Sequence, residues 1–133
     1  MLLLLPVAWF VLIPGCGDND SAPGDARISQ IGGITETAVD AWASAGPDGL
    51  YDYLASSVTG RCSKAQVAQA LASREQPSGF GTMKNFEFTA QNQASGTVVL
   101  LTKAGNKEEP WLYSEEGSRW RITNLPGLEG CAQ

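Results

Sequence analysis

Thr97-Val98-Val99-Leu100-Leu101-Thr102 decides the fold, because the chain around it repeats with the two-residue period of strands. The stretch is apolar on both faces, which places it in the middle of a sheet. Its two faces are then covered either by helices and a partner chain or by strong curvature. Upstream, Phe86, Phe88 and Ala90 share one strand face opposite Glu87 and Thr89, and Gln93-Ala94-Ser95-Gly96 reads as the connecting turn. Downstream, Ala104-Gly105-Asn106 turns the chain again. Trp111 and Tyr113 alternate with Leu112, Glu115-Glu116-Gly117 makes a third turn, and Trp120 and Ile122 alternate with Arg119, Arg121 and Thr123. Four strands in meander order result. The acidic pairs Glu108-Glu109 and Glu115-Glu116 fall at hairpin ends and read as surface.

Before Gly79 the period is helical. Ile28, Ile31, Ile34, Ala38, Ala41, Trp42 and Ala45 recur at threes and fours, the spacing of one helix face, and Gly32-Gly33 shifts the firm start toward Ile34. Gly46-Pro47 closes this helix, and Pro47, Asp48, Leu50, Tyr51, Leu54 and Val58 predict a second. Ser63 with Gln66 three residues on has capping-box spacing for a third helix, buried through Val67, Ala70 and Leu71 and ended before Pro77-Ser78-Gly79. Helices followed by an antiparallel meander form an α+β plan, with helices packed in a curved sheet. At 133 residues and 14.1 kDa there is room for one such domain.

The order of elements, the Gly46-Pro47-Asp48-Gly49-Leu50 junction and the closing Glu116-Gly117-Ser118-Arg119-Trp120-Arg121-Ile122 hairpin resemble the nuclear transport factor 2-like superfamily, in particular its bacterial envelope lipoproteins. The resemblance covers roughly residues 28 to 125. It implies a cone-shaped domain in which Trp120 points inward and Arg121 outward, with a pocket at the wide end. In enzymatic relatives that pocket holds an Asp–His proton-transfer pair, and this chain has no histidine. The side chains expected to line the pocket are Trp42, Tyr51, Phe86, Phe88, Trp111, Tyr113 and Trp120, with Tyr53 and Asp40 as further polar candidates. Inward aromatics of a small domain also serve as plain core. Asp40 is either a desolvated carboxylate able to act as a base or a solvated helix-face residue.

The apolar run Met1 to Ile13 is too short to cross a bilayer as a helix, which takes about 20 residues, and has the length of an export signal. Gly15 before Cys16, with Ile13 in the apolar position, resembles the lipobox at which a thiol is acylated and the chain cut. Pro14 is unusual there, and the lack of a basic residue before the run suggests a start codon upstream. Residues 1–15 are thus expected to be a lipoprotein signal peptide, and residues 16–27 a lipid-bearing Cys16 and a flexible polar tether. Residues 28–133 would be the single domain, held outside the cytoplasm at a bacterial cell membrane. An ordinary cleaved signal with Cys16 incidental is the alternative.

In an oxidising compartment the remaining pair, Cys62 and Cys131, is expected to form a disulfide that clips the tail Leu125 to Cys131 to the junction before the third helix. Two thiols without histidine leave a metal shell unfilled, so neither a metal nor a cofactor is expected. A net charge of −5 and the lack of a basic stripe argue against nucleic acid. Three functions compete. The first is a non-enzymatic envelope lipoprotein binding a small apolar ligand or an envelope protein. The second is a cofactor-free lyase or isomerase of the polyketide-cyclase kind using a pocket carboxylate such as Asp40. The third is a structural module that pairs two copies through the sheet.

Overall fold

The structure is a computed structural model and describes residues 25–131. Cys16, the signal segment and most of the tether therefore lie outside the described residues. Helix α1 (Asp25–Ala45) is followed by a 3-10 helix (Pro47–Tyr53) and the short α2 (Ser56–Thr59). Helix α3 (Lys64–Leu71) and strands β1 (Gly79–Ala90), β2 (Gln93–Thr102), β3 (Gly105–Glu116) and β4 (Arg119–Asn124) complete the chain. The strands form one open antiparallel sheet in the order β1-β2-β3-β4, so the chain is α+β, a helical part followed by a meander. No helix of the described residues is long and apolar enough to cross a membrane.

Helix α1 departs from the sequence reading at its start. It begins at Asp25, inside the stretch read as tether, and runs through Gly32-Gly33 without a break. Each interior glycine costs about 1 kcal/mol relative to alanine, and the burial of Ile31, Ala38, Val39 and Trp42 along one face outweighs that cost. Thr35 occupies the same buried stripe. Its hydroxyl is 2.7 Å from the Ile31 carbonyl, to which it donates, and 2.7 Å from the Tyr113 hydroxyl.

The predicted second helix is two short pieces, because Leu54 is drawn into a parallel bridge with Ile122 and the Ala55 N–H donates to the Ile122 carbonyl at 2.8 Å. A backbone committed to a neighbouring strand cannot also complete helical hydrogen bonds. Gly49 serves the junction. A Cβ there would fall on the Ala41 carbonyl, 2.7 Å from its carbon, so the close approach of the 3-10 turn to α1 requires glycine. The capping box at α3 forms as expected: the Gln66 N–H donates to Ser63 Oγ at 3.2 Å and the Ser63 N–H to Gln66 Oε1 at 2.8 Å.

In the sheet, the turn expected at residues 93–96 lies at residues 91–92, and Gln93 to Gly96 are already paired in β2. Gly96 sits opposite Trp111 beneath Met83 and Phe86, so glycine here makes room for large neighbours rather than a turn. Aligned residues Phe88, Ala94, Tyr113 and Ile122 run across the inner face of all four strands. That face joins Ile31, Trp42, Leu50, Val58, Val67 and Leu71 in one core. The outer face of β2 is only partly closed: Val99 is buried, whereas Leu101 is 38% exposed.

The C-terminal segment packs as part of the core through Leu125, Leu128 and Cys131, and the disulfide Cys62–Cys131 fastens it across 69 residues of sequence. On the chain-entropy model a closed loop of that length stabilises the fold by about 4 kcal/mol.

Candidate functional site

β1 carries a local change of phase. Asn85 takes a left-handed backbone angle (φ 54°) within a bulge between Lys84 and Glu87, a conformation that asparagine tolerates better than most residues. The extra residue returns Phe86 and Phe88 to the inner face on which Met83 already lies. Without it, strict alternation from Met83 would put Asn85 and Glu87 there. Phe86 and Phe88 meet edge to face, ring centroids 5.0 Å apart at 88°, and Phe88 lies 6.0 Å from the Trp120 ring on β4. Both phenylalanines stay half-buried, whereas Trp120 is 3% exposed. The Trp120 Nε1–H is buried and donates to nothing in the structure. An amide-like donor in that condition costs about 1–3 kcal/mol, so a folded chain rarely keeps one without a use.

The other aromatics expected at the pocket are placed differently. Trp42 and Trp111 are fully buried around an internal ion pair: the Arg74 guanidinium bonds to Glu109, whose other oxygen accepts from Trp111 Nε1 at 2.8 Å. Arg74 also stacks 4.9 Å over the Trp42 ring and donates to the Pro126 carbonyl at 2.9 Å. Glu109 is 4% exposed, so its reading as a surface acid is overturned. It lies two residues before Trp111 on β3, and strand alternation puts both on the inner face. Both Glu109 oxygens and the Trp111 indole N–H have partners, and the cluster binds α1, β3, the loop after α3 and the C-terminal segment together.

Tyr113 stands between the two groups, buried and hydrogen-bonded to Thr35. Burial pushes its phenol well above the usual tyrosine range and the Thr35 bond offsets this only in part, so it is a neutral hydroxyl at physiological pH. Tyr51 is turned elsewhere, its hydroxyl donating to the Cys62 carbonyl at 3.1 Å. Tyr53 is half-buried against the core, and Asp40 lies on the exposed side of α1. A base in an apolar pocket needs a buried, uncommitted carboxylate. Asp40 is not buried, and Glu109 is committed to Arg74 and Trp111. Among the described residues no group of three His, Cys, Asp or Glu side chains could hold a metal ion.

Of the expected lining, the fold thus brings together Phe86, Phe88 and Trp120, with Tyr113 deeper in the same ladder. It assigns Trp42 and Trp111 to a structural clamp. Arg74, Glu109 and Thr35 escaped the sequence reading because their partners are remote in the chain. No family model matches this sequence, and no curated protein matches it significantly.

Proposed function

We propose that this protein is a membrane-anchored, extracytoplasmic lipoprotein whose nuclear transport factor 2-like domain binds a small apolar molecule at the aromatic end of its sheet. The observation that carries the reading is the Trp120 Nε1–H, buried without an acceptor beside the half-exposed Phe86 and Phe88. Ligand sites combine a mostly apolar lining with a few placed polar groups, and this end of the sheet supplies both. The ligand is then an apolar molecule bearing one hydrogen-bond acceptor. The helices-then-meander order supports the family resemblance, as does the placement of Trp120 in the core with Arg121 less buried beside it. The disulfide is consistent with an oxidising compartment.

Fluorescence titration of the full chain with an anilinonaphthalene dye tests the site. Saturable binding that Phe88→Ser weakens, with the fold retained, is expected; the absence of saturable binding contradicts it. Intact mass from bacterial membranes, with and without globomycin, tests the acylation of Cys16 independently. A second reading, pairing of two copies through the sheet, draws on Leu101 and Leu112, which stand exposed among the strands.

A further inference from the structure

Next to the aromatic end, a cavity of about 390 Å³ opens where β4 meets the 3-10 helix and the segment that follows it. Tyr51, Asp52, Leu54, Ser56, Glu116 and Arg121 line it. Its walls are tied to one another. The Glu116 carboxylate accepts from the Ser56 N–H at 3.0 Å and from Ser56 Oγ at 2.9 Å, and the Ala55 N–H donates to the Ile122 carbonyl at 2.8 Å. Tyr51 is held by its bond to the Cys62 carbonyl, and the Arg121 guanidinium donates to the backbone carbonyl of Asp52. A groove fixed in this way loses little conformational freedom when a ligand enters.

The charges inside it are unusually arranged. Glu116 is occupied by Ser56, whereas Arg121 and Asp52 belong to no ion pair among the described residues. Arg121 bonds to the main chain of Asp52 rather than to its carboxylate, so a cation and an anion line one cavity without neutralising each other. The guanidinium keeps further N–H donors in the fork that matches an oxyanion. A simple anion would be repelled by two carboxylates, and a simple cation by Arg121. A molecule carrying both charges satisfies both walls.

We propose that this cavity binds a small dipolar ion with an ammonium and an oxyanion a few bonds apart. The oxyanion lies on Arg121 and the ammonium on the Asp52 carboxylate, with the carbon skeleton against Leu54 and the Tyr51 ring. Free amino acids and the phosphoethanolamine headgroup share this chemistry. The site is partly open to water, which screens the charges and limits affinity to about the millimolar range.

The test is a titration of the 15N-labelled full chain, followed by amide and Arg121 Nε resonances, with alanine, phosphoethanolamine, acetate and ethylamine. Saturable shifts at Ser56, Thr59 and Arg121 with alanine or phosphoethanolamine, at least about tenfold tighter than with acetate or ethylamine, are expected. The tighter of the two dipolar probes names the source. Arg121→Gln and Asp52→Asn should each abolish the preference. Asp52 is exposed, so its variant keeps the test valid if Arg121→Gln fails to fold. Equal response to acetate and alanine, or no response to either dipolar probe, overturns the proposal.

Discussion

The two aromatic groups of the core each centre on a buried tryptophan of the sheet, Trp111 and Trp120, and differ in how the indole donor is spent. Around Trp111, the polar groups are joined in a chain: Nε1 with Glu109, Glu109 with Arg74, and Arg74 with the Pro126 carbonyl and the Trp42 ring. Around Trp120, the rings pack on Phe88 and Phe86, but the indole donor has no acceptor and the phenylalanines reach the surface. Burial alone therefore does not separate core from site, since both tryptophans are buried. An unspent donor does.

The largest expected effect falls on the clamp. Glu109→Ala leaves the Arg74 guanidinium in a poorly hydrated site without its counter-charge, and breaking such a pair costs about 3–5 kcal/mol. Chemical denaturation measures it, and a loss below about 1 kcal/mol would mean that the pair is effectively solvated.

A sharper contrast comes from making one substitution twice. Trp111→Phe and Trp120→Phe remove the same atoms, but only the first leaves a buried carboxylate oxygen without its donor. Trp111→Phe should therefore be the costlier by about 2 kcal/mol, the range for hydrogen bonds to charged groups. Equal losses would erase the distinction between the two regions.

The boundary between the groups responds to pH. Tyr113 ionises near 10.0 when unfolded and higher when folded, because burial disfavours the phenolate. The folded state then holds its proton more tightly. This contribution is fully present below about pH 10 and is lost as the pH climbs above it. Tyr113→Phe should flatten that alkaline decline. An unchanged alkaline slope in the variant would show that other groups cause it.

Much of the fold was legible in local signals. The meander, the Ser63-Gln66 capping box and the Cys62–Cys131 pair each rest on spacing that the chain carries within a few residues or on simple parity of cysteines. The break at Leu54-Ala55 was not legible, because it depends on a bridge to Ile122, far away in sequence. Nor was the true position of the first sheet turn, since Gly96 looks the same whether it bends a chain or yields space to Met83 and Phe86. The site was legible in composition and illegible in sorting. Seven aromatics were expected at one pocket, and the remote partners Arg74 and Glu109 divert two of them into a clamp.

The most direct test is to follow the tryptophan indole N–H resonances of the 15N-labelled full chain during titration with methyl laurate, an apolar chain bearing one acceptor. A saturable downfield shift is expected at the Trp120 Nε1–H and none at the Trp111 Nε1–H, which already donates to Glu109. No shift at Trp120, or equal shifts at both, would contradict it.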